Sequence, residues 1–223
     1  MYSISRTRDP RGSESNMNEK NSRHLETGEP GRRERKRLLL LDALADVAWD
    51  LFEREGYAAV AMERIAEVAD VAKGTLYKHF PAKEALLRHR FHRELEQAWP
   101  VVLAEVSNLP AFEDQLRAFL AHSAVWAQAH RKYLLPYIQF RLSEPRKLDI
   151  GVRSGLERLF GHFIAQGQTA GEFRSGQEPA VLANYLEFLY LAALLRWLLH
   201  EELSLQEEFS QVLDLFLLGL KPR

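Results

Sequence analysis

Apolar residues recur at helical spacing from residue 33 to residue 220, and no stretch alternates apolar and polar residues as a half-buried strand does. Turn signals such as "NLP", "SEP" and "HEELS" separate the periodic segments. The sequence therefore predicts an all-α fold of about nine helices. These cover residues 33–54, 62–69, 73–80, 83–106, 111–129, 131–142, 147–167, 178–200 and 205–220.

Composition narrows the class of protein. The 223 residues include no cysteine, which excludes disulfides, thiolate metal sites and cysteine catalysis. No apolar run reaches the roughly 18 to 20 residues of a membrane helix, and the N-terminus lacks the apolar core of a secretion signal. We therefore expect a cytoplasmic protein.

Charge differs along the chain. Residues 1–31 are polar and rich in turn formers, so we expect a disordered tail. Residues 32–93 hold 13 Lys+Arg against 10 Asp+Glu, whereas residues 94–223 hold 12 against 16. This favours a polyanionic partner for the N-terminal third alone. The run "RRERKR" at 32–37 is either a DNA-contacting arm or a solvated helix start, and the sequence leaves both open.

The short predicted helices at 62–69 and 73–80 are separated by the tight turn "ADV". Two helices joined in this way describe a helix-turn-helix. Leu76 and Phe80 lie four residues apart and face inward, which leaves the polar side chains of "KGTLYKH" facing outward. Their charges and hydroxyls suit phosphate contacts, and Thr75 could also reach a base edge. The candidate DNA-binding residues are Lys73, Gly74, Thr75, Tyr77, Lys78, His79 and Lys83.

Residues 38–91 resemble the DNA-binding domain of TetR-family transcriptional regulators. The family pattern "GTLYxHFxxKExL" is present as Gly74, Thr75, Leu76, Tyr77, His79, Phe80, Lys83, Glu84 and Leu86. The resemblance implies a DNA-binding domain at 32–82 and a helical ligand-binding and dimerisation domain at 83–223. It further implies a repressor that a small-molecule inducer releases from DNA. Two-fold symmetry of a homodimer predicts a palindromic operator on double-stranded DNA.

The two C-terminal helices, about 178–200 and 205–220, are richer in large apolar residues than one subunit's core requires. Surfaces of this kind are often subunit interfaces. We therefore expect the homodimer to form through these two helices.

The sequence departs from the family at helix starts. Ala61 and Ala72 stand where the family usually has Ser or Thr, and Asp70 stands where it usually has Gly. Each missing side-chain cap costs a helix about 0.5–2 kcal/mol. The alternative function is therefore a TetR-fold nucleoid-bound or protein-interaction factor without a small-molecule ligand.

Aromatic residues with polar tips in the middle helices suggest an apolar ligand cavity. The candidate ligand-binding residues are Trp126, Tyr133, Tyr137, Phe140 and Arg141. Ordinary core packing is the competing interpretation for each of them, and the sequence does not identify the ligand.

Metal and enzyme chemistry are not indicated. His89, His92 and Glu96 have helical spacing that could hold a metal, but exposed polar residues are the favoured interpretation, so no metal or cofactor is assigned. The sequence contains no catalytic triad, phosphate loop or paired carboxylates in a recognisable context. We therefore expect a protein that is not an enzyme.

Overall fold

The structure is a computed structural model that describes residues 31–143 and 155–220. Across these residues it contains nine helices and no strand, which confirms the predicted all-α fold. The helices are α1 (Arg32–Glu55), α2 (Met62–Val68), α3 (Lys73–His79), α4 (Lys83–Val106), α5 (Phe112–Ala129), α6 (Arg131–Ser143), α7 (Leu156–Thr169), α8 (Pro179–Leu199) and α9 (Leu205–Leu220).

The helix bounds follow local signals in the sequence. Eight of the nine helices begin and end within one residue of the predicted bounds. The exception is α7, which begins at Leu156 instead of residue 147 and ends at Thr169. Residues 147–154 of that predicted helix, and the predicted tail at 1–30, lie outside the described residues.

The chain divides into two compact units, residues 1–39 and residues 40–223. Of the first unit, the structure describes the start of α1. There the Arg37 guanidinium donates to the Glu34 carboxylate at 2.5–3.1 Å. One positive charge of the "RRERKR" run is therefore paired within the run itself.

Two turns have a left-handed backbone. Gly56, with φ of +85°, ends α1, and Asp70, with φ of +52°, lies between α2 and α3. Glycine reaches this region without strain, and aspartate tolerates it better than most residues. The sequence-based expectation that Asp70 accommodates the turn is confirmed.

Helix α7 packs closely against the loop that follows it. A Cβ on Gly167 would lie only 2.2 Å from the Phe173 ring, so only glycine allows this approach. On length and mean hydropathy (1.3), α8 could cross a membrane, but half of its apolar window is buried within the protein. Core helices meet the same criterion, and the nine buried residues of α8 account for part of its apolar character.

Candidate DNA-binding surface and ligand cavity

Helices α2 and α3 are joined by the tight turn that the sequence predicts. The Val71 amide donates to the Ala66 carbonyl at 3.0 Å, and the Asp70 amide donates to the Glu67 carbonyl at 3.2 Å. Ala66 is 2% exposed, so its small side chain lies between the helices. The two helices therefore form a closed helix-turn-helix.

Helix α3 buries one face and presents the other. Leu76 and Phe80 are buried, as predicted. Lys73, Gly74, Tyr77 and Lys78 are exposed, and Thr75 and His79 are half-buried. Six of the seven candidate DNA-binding residues thus lie on α3, mostly on its open side, and their contact with DNA stays a prediction.

Two candidate residues have partners within the protein. The Tyr77 hydroxyl donates to the Glu63 carboxylate on α2 at 3.1 Å. Lys83 Nζ donates to the Tyr57 carbonyl at 2.7 Å and lies 4.5 Å from the centroid of the Tyr57 ring. Lys83 thus fastens the loop after α1 to the start of α4, and it can reach a phosphate only by leaving these contacts.

The predicted absence of helix caps is confirmed. Ala61 and Ala72 have the extended backbone of N-cap residues, but neither supplies a side-chain hydrogen bond. The short helices α2 and α3 are therefore stabilised by packing of their buried faces instead of by capping.

An ion-pair cluster joins α1 to α4. Asp42 contacts His89 at 2.7 Å and Arg93 at 3.3 Å. Asp46 contacts Arg90 at 2.7 Å and also pairs with Arg93. The charges of Arg93 and Arg90 outweigh burial and hold the pKa of Asp46 below its usual range. His89 is thus engaged with a carboxylate, and within 31–143 and 155–220 no group of side chains is arranged to hold a metal ion.

Helix α6 also contacts α1. The Tyr133 hydroxyl donates to Glu53 at 2.5 Å, and Lys132 Nζ donates to the same carboxylate at 2.8 Å. The Tyr133 ring lies 4.7 Å from the Trp49 ring, measured between centroids. Tyr133 therefore packs against α1.

A small cavity lies among α4, α5, α6, α7 and α8. It has a volume of about 30 Å³. The lining residues are Leu95, Trp99, Ser123, Trp126, Leu134, Tyr137, Arg141, Leu156, Tyr190, Leu191 and Leu194. Of the five candidate ligand residues, Trp126, Tyr137 and Arg141 are in this lining, whereas Tyr133 and Phe140 are not. Tyr133 and Tyr137 lie one helical turn apart, so the sequence alone could not separate their roles.

The strongest polar contact in the lining is a buried ion pair. Arg141 donates to the Glu187 carboxylate at 2.6 Å, and the two side chains are 17% and 8% exposed. No sequence pattern pairs these two residues, because Glu187 lies within the apolar run of α8. A buried carboxylate at that position signals a buried cationic partner.

The other polar lining groups are paired as well. The Ser123 and Tyr190 hydroxyls are 2.6 Å apart, and the Tyr137 hydroxyl lies 3.2 Å from His92 Nε2. Burial, reinforced by the charges of Arg141 and Arg88, lowers the pKa of His92 to about 3, so this imidazole is neutral. Burial also raises the pKa of Tyr190 to about 12. The cavity is therefore lined by neutral hydroxyls and one compensated ion pair.

Trp99 differs from these groups. Its indole Nε1 is shielded from solvent and has no hydrogen-bond acceptor in the part of the chain that the structure describes. Trp126, by contrast, donates its indole N–H to Glu94 at 2.9 Å. A buried donor without an acceptor costs about 1–3 kcal/mol.

A second, larger cavity of about 580 Å³ opens at the surface of α8 and α9. Tyr185, Leu189, Leu215 and Phe216 are among its lining residues. Tyr185 and Leu215 are 60% and 68% exposed. Volume alone would favour this groove as a ligand site, but its exposed large apolar side chains are typical of subunit interfaces, whereas the smaller cavity is lined mostly by buried residues.

Comparison with known proteins agrees with this geometry. The family model of the bacterial regulatory proteins of the tetR family matches residues 44–89. The repressor KstR of Mycolicibacterium smegmatis is 44% identical over 72 residues, which cover 32% of this chain and 33% of that protein. The mycofactocin biosynthesis regulator named MftR of Mycobacterium tuberculosis is 25% identical over 181 residues, 79% of this chain and 89% of that protein.

Similarity of fold extends beyond the helix-turn-helix. The crystal structure of Thermus thermophilus FadR, a TetR-family repressor in complex with lauroyl-CoA, aligns with a TM-score of 0.71 at 23% identity. The alignment covers 82% of this chain and 96% of FadR. The matched DNA-binding segment at residues 44–89, the relative aligned over most of its length and the shared fold together support a TetR-family transcriptional regulator.

Proposed function

We propose that this chain is a homodimeric repressor that binds a palindromic operator and leaves it when a small molecule binds. In this proposal residues 32–82 form the DNA-binding domain and residues 83–223 form the ligand-binding and dimerisation domain of a cytoplasmic regulator. The observation that carries the proposal is the open face of α3, where Lys73, Tyr77 and Lys78 are all exposed.

The contacts that we propose for α3 follow from its chemistry. Lysine ammonium groups and hydroxyls are typical partners of phosphate oxygens, and Thr75 would meet a base edge when α3 enters the major groove. Lys83 is the weaker candidate, because it is engaged with the Tyr57 carbonyl and ring. Two α3 helices related by a two-fold axis would read half-sites about one helical turn apart.

The occupant that we propose for the α8–α9 surface is a second copy of this chain. Large apolar side chains continue from one helix to the other: Val181 and Tyr185 on α8 and Leu215 and Leu218 on α9 are between 45% and 74% exposed. An apolar strip over two helices is unfavourable in a soluble monomer. A symmetric dimer covers it with the same strip of the partner, which matches the symmetry of a palindromic operator.

The ligand that we propose is an acyl-CoA, the class of compound present in the FadR complex. The acyl chain would occupy the small cavity among α4–α8, whose lining is largely apolar. At about 30 Å³ the cavity holds about one water molecule, so an acyl chain must move its lining side chains. A ligand that requires the open form shifts the protein toward that form.

We propose that helix α6 transmits ligand binding in the cavity to the DNA-binding domain, so that the protein leaves its operator. Tyr137 and Arg141 line the cavity, and Tyr133 on the same helix is bonded to Glu53 of α1. Outward movement of Tyr137 and Arg141 would therefore also move Tyr133, which is bonded to α1 of the proposed DNA-binding domain. By linkage, the ligand weakens DNA binding by the same factor as DNA weakens ligand binding.

The test is selection from a random pool of DNA duplexes at moderate salt, with Tyr77→Ala as the matched control. We expect the wild-type chain to enrich a palindromic motif that the variant does not enrich. Weak binding without sequence preference in both proteins would contradict the proposal and favour the nucleoid-bound or protein-interaction factor.

A further inference from the structure

We propose that Trp99 determines which ligand this protein accepts, by donating its indole N–H to the carbonyl oxygen of an otherwise apolar ligand. The group that Trp99 would recognise is an uncharged acyl carbonyl, as in a thioester, and not a carboxylate or an amine. This inference rests on the proposed ligand cavity.

The first argument concerns which polar side chains of the cavity lining already have hydrogen-bond partners. The other polar lining side chains have partners: Ser123 with Tyr190, Trp126 with Glu94, Tyr137 with His92, and Arg141 with Glu187. Among the residues that the structure describes, the Trp99 indole is the polar lining group that is buried without an acceptor. Buried donors are normally satisfied, so a ligand atom is the natural acceptor.

The second argument is that the Trp99 ring is held in place. It lies against the Phe119 ring, with centroids 5.0 Å apart. Its Nε1 lies beside the start of α7, 3.8 Å from where a Cβ on Gly155 would be. The next residue, Leu156, also lines the cavity. The Trp99 ring is thus held among residues of the cavity lining before a ligand arrives, which lowers the entropy cost of using its N–H.

The third argument concerns charge. Glu187 of α8 contacts Arg141 in the cavity lining and neutralises its charge. A free carboxylate in the cavity would compete with Glu187 for Arg141, and an amine would place a donor against the Trp99 donor. A carbonyl oxygen accepts a hydrogen bond without bringing charge into the cavity, and it avoids both costs.

The experiment compares lauroyl-CoA with its S-dodecyl thioether analogue, in which a CH₂ group replaces the carbonyl. Calorimetry measures both affinities for the wild-type chain and for Trp99→Phe. We expect the wild type to prefer the thioester by about tenfold, as a buried hydrogen bond allows, and Trp99→Phe to bind the two ligands about equally.

Trp126→Phe is the matched control, because its indole already donates to Glu94. This variant should weaken both ligands alike and keep the preference for the thioester. The indole ¹⁵N–¹H signal of Trp99 should shift with lauroyl-CoA and not with the thioether, which a purely structural role for Trp99 would not produce.

The outcomes separate the inference from the proposed function. Equal binding of the two ligands by the wild type overturns the role of Trp99 and leaves the acyl-CoA proposal intact. Binding of neither ligand overturns the acyl-CoA proposal, and the role of Trp99 with it.

Discussion

The α3 surface and the ligand cavity differ in whether their polar side chains are exposed or are already paired within the protein. On α3, Lys73 and Lys78 project into solvent and are left for an external partner. In the cavity, Arg141 and Tyr137 are already bound to other side chains. The first region can meet its partner without rearrangement, whereas the second must break internal contacts. Substitutions on α3 should therefore change affinity, and substitutions in the cavity should change stability first.

Removing one member of the buried ion pair gives the largest effect. Glu187→Leu leaves the Arg141 guanidinium buried without its carboxylate, so we expect the free energy of unfolding to fall by about 3–5 kcal/mol in urea. The double variant Arg141→Met/Glu187→Leu should recover most of that loss, because no charge is then left unpaired. A single variant as stable as the wild type would show that the pair is open to water.

On α3, by contrast, substitutions should change the affinity for DNA and leave the stability of the protein almost unchanged. Lys73→Ala/Lys78→Ala removes two exposed cations, so the slope of log affinity for operator DNA against log salt should fall by about two. The free energy of unfolding should stay within about 0.5 kcal/mol of the wild type. Binding measured by fluorescence anisotropy at several salt concentrations tests this, and an unchanged slope would place DNA on another surface.

Two histidines should make the stability of the protein depend on pH in opposite directions. The pKa of His92 is depressed, so the unfolded chain takes up a proton below about 6.5 while the native chain does not until about 3. His92 therefore stabilises the protein above pH 6.5, and this stability is lost as pH falls, at up to about 1.4 kcal/mol per pH unit. His92→Gln should show a weaker decline between pH 6.5 and 4 in urea titrations, and parallel curves would contradict the assignment.

His130 should make stability depend on pH in the direction opposite to His92. Burial opposes its charge, but bonds to Glu94 and to the Trp126 carbonyl raise its pKa above 6.5 in net effect. Its contribution is thus fully present below pH 6.5 and is lost as pH rises through the raised value. His130→Gln should flatten the stability curve on the alkaline side of 6.5.

Adding a helix cap gives the smallest effect. Ala72 has φ of −62° and ψ of 140°, the backbone that an N-cap residue adopts. Ala72→Ser should therefore stabilise α3 and raise the free energy of unfolding by about 0.5–1 kcal/mol, measured by urea unfolding. Ala111→Ser, at the uncapped start of α5, is a matched control far from α3. If Ala111→Ser raised the free energy of unfolding and Ala72→Ser did not, the backbone N–H groups at the start of α3 would already have hydrogen-bond acceptors.

The sequence was sufficient for features set by neighbouring residues. Helix bounds, the turn at Asp70 and the inward face of Leu76 and Phe80 follow from periodicity and backbone preference over a few positions. The cavity depends on contacts between distant helices. Arg141 meets Glu187, and Tyr133 turns to Glu53, across separations of 46 and 80 residues. The local sequence pattern does not reveal such pairs. Two of the five candidate ligand-binding residues therefore lie outside the cavity lining, and Trp99, which is in the lining, was not among the candidates.

The central claim is that the cavity and α3 are coupled. The most direct measurement is the affinity of the wild-type chain for its selected operator with and without saturating lauroyl-CoA, together with the affinity for lauroyl-CoA with and without operator. The account predicts that each partner weakens the other by the same factor, typically about 5- to 150-fold. Lauroyl-CoA that binds without changing operator affinity would contradict it.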